Sequence, residues 1–189
     1  MKFDPNKHHR RSIRLKGYDY SQTGAYIVTI VAWQRECLFG EIVDGEMVLN
    51  GFGQLIEKWW HQIPVHFPNV ETLTFVIMPN HVHGIIVIND NSRGAVSAPD
   101  DDNQIEYSGG RTPPLQARKP TLGQIVAYFK YQSTKETNAM DGTGKITKLW
   151  QRNYYERIIR DEREMDRIHR YIESNPAMWA DDDETPANL

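Results

Sequence analysis

Short runs of β-branched and aromatic residues dominate the first half of the chain, and apolar positions at helical spacing dominate the second. Residues 26–33 are of the first kind and predict a strand. Residues 38–43 and 47–49 flank Asp44-Gly45, a frequent tight-turn pair, and predict a hairpin. Leu49, Phe52, Leu55, Ile56, Trp59 and Ile63 then recur at helical spacing, which predicts one amphipathic helix that stops by Pro64. The apolar runs 73–77 and 84–88 read as strands, with Pro79-Asn80 between them as a tight connection. Further on, Thr121 and Gln124 stand at capping-box spacing ahead of a stripe of Leu122, Ile125, Val126 and Phe129. Lys130 and Lys135 lie off that stripe, free to face solvent or phosphate. A final helix is predicted over 161–174, with an acidic first turn of Asp161, Glu162 and Glu164, a stripe of Met165, Ile168 and Ile172, and Asn175-Pro176 as its end. Helices that cross between antiparallel strands imply an α+β layer fold, here a ferredoxin-like antiparallel sheet with helices packed on it.

The length of 189 residues fits a single domain, 1–189, with a real core. Residues 89–119 are rich in Ser, Gly, Asp and Pro and poor in large apolar side chains, so they read as a flexible surface insertion; 180–189 form an acidic tail. The single Cys37 excludes an internal disulfide and a cysteine metal cage, which makes a reducing cytoplasm the default compartment. No apolar run approaches the roughly 18 residues of a membrane span, and the N-terminus has no apolar signal-peptide core, so no membrane partner is expected.

The net charge of −3 is unevenly placed. Residues 89–110 hold Asp90, Asp100, Asp101, Asp102 and Glu106 against Arg93, and the tail holds Asp181, Asp182, Asp183 and Glu184. The rest of the chain carries 21 bases against 16 acids, a net of +5. Its bases gather at Lys7, Arg10, Arg11, Arg14 and Lys16, and again at Lys145, Lys148, Arg152, Arg157, Arg160, Arg163, Arg167 and Arg170. Such stripes suit a protein that tracks a phosphate backbone, and they suit a solvated charged surface equally.

The chemistry concentrates at His81-Val82-His83. Strand side chains alternate, so both imidazoles point to one face and Val82 to the other. Two such nitrogens can share one metal ion, and they can also be a hydrogen-bonded structural pair. On the closing helix, Tyr171 and Asn175 lie about 40° apart, and Asn175 about 20° from Ile168, so the docking face carries a phenol and a carboxamide. A buried amide needs a partner, which a metal on the histidines would supply; a C-terminal cap would also account for Asn175, and a core-edge packing role for Tyr171. Tyr131, Tyr154 and Tyr155 are read as packing residues.

Three segments now carry a resemblance. Phe75-Val76-Ile77-Met78-Pro79-Asn80-His81-Val82-His83-Gly84, Leu149-Trp150-Gln151-Arg152-Asn153-Tyr154-Tyr155-Glu156 and Tyr171-Ile172-Glu173-Ser174-Asn175-Pro176 resemble the REP-associated tyrosine transposases, a branch of the single-tyrosine transposases with a His-hydrophobic-His motif. The resemblance implies that His81 and His83 are metal ligands on a central strand, that Tyr171 is the nucleophile, and that Asn175 completes the metal site. Better-known members carry Gln at that last position, and Asn is one methylene shorter. It further implies a Mg or Mn cofactor, although imidazole also suits Zn or Ni. The implied substrate is single-stranded DNA beside a hairpin of repetitive palindromic elements, nicked and rejoined through a 5′-phosphotyrosine by a monomer or a homodimer. Arg10, Arg11, Arg14 and Lys16 are the candidates for guide-sequence contacts, and Lys130 and Arg152 for contacts with the DNA backbone. Two alternatives stay open: a metal-dependent hydrolase in which water attacks, and a hairpin-binding protein that does not cleave.

Overall fold

The computed structural model describes residues 17–90, 119–142 and 148–181. Arg10, Arg11, Arg14 and Lys16, nearly all of the 89–119 insertion and all but the start of the acidic tail lie outside the described residues. In chain order the elements are β1 (Gly24–Val31), β2 (Gly40–Val43), β3 (Glu46–Leu49), α1 (Gly51–His61), α2 (Ile63–His66), β4 (Val70–Met78), β5 (His81–Ile88), α3 (Leu122–Asp141), β6 (Tyr155–Ile159) and α4 (Glu162–Ser174). The main sheet runs β4-β5-β1-β6 with every neighbouring pair antiparallel, and β2-β3 is a separate hairpin. Setting that hairpin and α2 aside, the order β1-α1-β4-β5-α3-β6 is the split βαβ arrangement of a ferredoxin-like fold, with β5 and β1 at its centre. The histidine strand is therefore central, as expected.

Local chemistry accounts for most boundaries. Asp44 and Gly45 both take positive φ, 53° and 80°, the requirement of the primed turn that joins β2 to β3. Asn50 caps α1 by accepting from the amides of Phe52 and Gly53, and Thr121 with Gln124 forms the expected capping box on α3. α1 stops at His61, before Pro64 as expected, but Pro64 then sits in the first turn of a short second helix, α2, where its missing N–H costs nothing. Trp59, placed inward by the helical stripe, packs partly buried against the core, and Trp60, outside that stripe, is the wholly buried ring.

Strand alternation divides the core in two. Val82, Ile86 and Ile88 of β5 join Tyr26, Val28 and Ile30 of β1 beneath α1 and α3, against Trp60, Ile125 and Phe129. Gly84 belongs to this face, and a Cβ there would stand 2.3 Å from the Trp60 ring, so the close approach of indole to strand requires glycine. Ile85 of β5 faces the other way and packs with Ile159, Ile168 and Ile172, bordered by Ala25, Ile27, Val76 and Val87. His81 and His83 share the parity of Ile85 and lie on this second, thinner face, covered by α4.

Candidate active site

His81 and His83 are 0 % and 4 % exposed, with ring centroids 4.4 Å apart. Each ring is held through Nδ1. Thr29 sits directly opposite His83 in the β1–β5 register, and its Oγ1 is 2.8 Å from His83 Nδ1. His81 Nδ1 is 2.8 Å from Asn80 Oδ1, while Asn80 Nδ2 donates to the Arg35 carbonyl at 3.1 Å. Because Asn80 Oδ1 can only accept, His81 carries its hydrogen on Nδ1 and its lone pair on Nε2. Burial pushes His83 down to about 4; for His81, burial first, then His83 and Arg35, push it down to about 2. Both imidazoles are therefore neutral at physiological pH, the form that ligates a metal.

α4 brings the second half of the site. Asp161 caps it by accepting from the Glu164 amide, and buried Glu164 accepts from the Arg160 amide and from Arg157 of β6. On the opposite flank, Thr74 Oγ1 of β4 hydrogen-bonds His169 Nδ1. With Ile168 and Ile172 buried between these two tethers, the helix is fixed across the sheet. Its phenol then falls on the histidine pair: the Tyr171 hydroxyl lies 3.2 Å from His83 Nε2, within the same chain, while the ring is 46 % exposed. One turn later Asn175, 3 % exposed, ends α4 with its backbone, its N–H meeting the Ile172 carbonyl and its carbonyl accepting from Met178. Its side-chain Oδ1 takes no part in that cap and is buried without a hydrogen-bond partner. The structure thus brings together His81, His83 and Tyr171 and places Asn175 on the same helix face.

A buried amide oxygen without a donor is costly, and a cation offsets that cost. Two neutral imidazoles with Nδ1 anchored and one orphaned oxygen fit a divalent ion. Among the described residues no group of three or more His, Cys, Asp or Glu that could hold a metal ion assembles.

The remaining candidates divide. Lys130 is not free on the surface: its ammonium donates to the carbonyls of Gln151 and Asn153 at 3.0 and 2.8 Å and lies 5.6 Å from the Tyr154 ring centroid. Burial lowers its pKa to about 8. The helical period correctly placed it off the apolar stripe, but the chain entering β6 folds back over it. Arg152 is exposed in that same loop. Tyr154 packs in the larger core, whereas Tyr155 is 50 % exposed on the histidine face, which departs from its reading as a packing residue. Trp179 was missed: the chain continues past Asn175 as a 3-10 turn, Pro176–Asp181, and brings the indole to 6.0 Å from the His81 ring. The Asn175-Pro176 stop signal hid it.

No helix among the described residues is long and apolar enough to cross a membrane. No family model matches the sequence. The chain is 41 % identical over 181 residues to an uncharacterized protein of Haemophilus influenzae, covering 96 % of each. Among solved structures it is similar to a REP-associated tyrosine transposase bound to a REP hairpin, with a TM-score of 0.54 at 16 % identity, over 88 % of this chain and 73 % of the other. The chain belongs to one family with the Haemophilus influenzae protein, and the fold on which it mounts its histidine pair and tyrosine is that of the REP-associated tyrosine transposases.

Proposed function

We propose that this protein is a metal-dependent single-stranded DNA endonuclease and strand transferase that acts at hairpin repeat elements, with Tyr171 as nucleophile. One observation carries the reading: the Tyr171 hydroxyl stands 3.2 Å from His83 Nε2 over a buried, neutral histidine pair. The solved neighbour was captured on a REP hairpin, which supports DNA as the substrate class.

His81 Nε2, His83 Nε2 and Asn175 Oδ1 would hold a divalent ion, Mg or Mn. When bound, it supplies the positive charge that polarises the scissile phosphate. The histidine pair is better suited to ligation than to general-base work, because burial opposes the imidazolium that a base must become. α4 orients the phenol, and Tyr171 as a residue is 46 % exposed. Attack forms a bond from the Tyr171 oxygen to phosphorus and breaks the bond to the 3′-oxygen, which leaves as a 3′-OH with a proton. The link stores the bond energy, so a second 3′-OH reverses the step and joins strands without a nucleotide cofactor.

The test is covalent trapping. Protein incubated with labelled hairpin DNA and Mn should carry the label through denaturation, and chelation or Tyr171→Phe should abolish it. DNA cut while the label never travels with protein would favour water as the nucleophile.

A further inference from the structure

The half-exposed ring of Tyr155 and the arginines of α4 play no part in the chemistry above, yet they border it. Register places Tyr155 opposite Thr29, and Thr29 opposite His83, so one row across the sheet reads Tyr155, Thr29, His83. Two strand spacings, roughly 10 Å, separate the Tyr155 backbone from that of His83.

α4 runs beside this row with its charges sorted by face. Counting about 100° per residue, Arg163, Arg167 and Arg170 fall within about 60° of one another, and Glu162, Asp166 and Glu173 form a second stripe centred about 90° away, on the side turned from Tyr171. Like charges at i, i+4, as in Arg163 and Arg167, cost a helix stability unless something offsets them. Tyr171 lies about 40° from Arg167, between the basic stripe and the buried face. Contact fixes which edge this stripe overlooks: Glu164 meets Arg157 of β6, whereas His169, on the other side, meets Thr74 of β4. From the Arg157–Glu164 contact, Tyr155 is two strand residues, roughly 7 Å, nearer the histidines, a step of about five helical residues. That sets Tyr155 between the levels of Arg167 and Tyr171. An open groove of about 550 Å³ along α4 is lined by Asp161, Arg163, Glu164, Arg167 and Arg170.

Arg163 and Arg167 make no ion pair among the described residues, and Arg170 Nε donates to the Asp166 carbonyl. A row of cations beside an exposed aromatic ring matches a single strand, whose phosphates need charge and whose unpaired bases need a flat surface. We propose that the α4 groove and the neighbouring edge of β6 together bind single-stranded DNA, with Tyr155 stacking on a base next to the scissile phosphate and Arg163, Arg167 and Arg170 holding the backbone that leads to Tyr171. The inference rests on the proposed DNA chemistry but concerns binding.

The experiment titrates the full chain, with chelator present, into a fluorescein-labelled single strand of about 20 nucleotides and follows anisotropy. Tyr155→Val puts a residue of high strand propensity on the edge strand and removes the ring; Tyr155→Phe keeps the ring. Val should weaken binding about tenfold and Phe by less than about twofold. Arg163→Gln, Arg167→Gln and Arg170→Gln should each lower the slope of log affinity against log salt by roughly 0.7. Unchanged binding by Tyr155→Val, equal losses for Val and Phe, unaltered salt slopes, or preference for a duplex of the same length would overturn the groove. Covalent trapping of the same variants separates the two readings. Tyr155-dependent binding without a Tyr171 adduct sinks the strand-transfer chemistry alone, and an adduct formed with binding indifferent to Tyr155 sinks the groove alone.

Discussion

The two faces of the sheet use one set of strands for opposite ends. Under α1 and α3, strand residues meet Trp60, Phe129 and Ile125 in a continuous apolar layer packed so closely that Gly84 cannot gain a methyl group. Under α4, the apolar layer shrinks to Ile85, Ile159, Ile168 and Ile172, and imidazoles, a phenol and a carboxamide occupy the rest. A single residue step along β5 separates these worlds: Val82 belongs to the first and its neighbours to the second. The difference shows how a small domain carries buried polar groups at all. The thick face supplies the burial that stabilises the chain, and the thin face holds its helix by tethers at Arg157–Glu164 and Thr74–His169.

The sharpest break in this division is Tyr171→Phe. It should remove covalent DNA by more than about a thousandfold, as loss of a nucleophile does, while thermal unfolding changes by only about 1 kcal/mol for one part-exposed hydrogen bond. Loss of adduct with a collapsed melting curve would mean that the thin face is structural after all. The converse is Trp60→Ala, which should cost about 3–5 kcal/mol in denaturant unfolding because the ring is wholly buried. A folded, destabilised Trp60→Ala protein that still forms adduct at low temperature would keep the two faces separate; selective loss of adduct would join them.

Acid sharpens the contrast further. Both histidines have folded-state pKa values depressed from the ordinary 6.5, His83 to about 4 and His81 to about 2. A depressed value means that the unfolded chain takes up protons first. The stability associated with the neutral pair is thus fully present above about pH 6.5 and is lost progressively as the pH falls toward 4 and beyond. Urea midpoints measured from pH 7.5 to 4.5 should fall in the wild type and fall less steeply in His81→Gln or His83→Gln. Parallel slopes would assign the acid sensitivity elsewhere. The mildest test is Asp161→Ala, which removes the α4 cap and should cost about 1 kcal/mol. Because that cap stands at the far end of the helix from the phenol, adduct formation at a temperature well below the melting point should survive it; a large loss would show that α4 transmits its fraying to Tyr171.

Alternation and capping made much of this legible in the residues. His81-Val82-His83 between two apolar runs forced both imidazoles to one face, and Thr121 with Gln124 marked a helix start, because such patterns depend only on the rise and turn of a local element. The 40° between Tyr171 and Asn175 needed no tertiary knowledge either. What joined strand to helix did. Thr29 and His83 stand 54 residues apart and Tyr171 and His83 stand 88 apart, and no local pattern encodes their contact. β6, with Glu156 and Arg157 in its middle, is not among the predicted elements, and it forms by pairing with β1 at the sheet edge. Lys130 looked free until the approach to β6 laid two carbonyls on it, and Trp179 was hidden by a proline that redirected the chain without stopping its helical course. By itself, then, the sequence determined the elements and the face each side chain takes, since these follow from backbone geometry over a few residues. Only the folded chain decided which faces meet, because that depends on long-range pairing and packing, and with it whether a phenol and two imidazoles become one site.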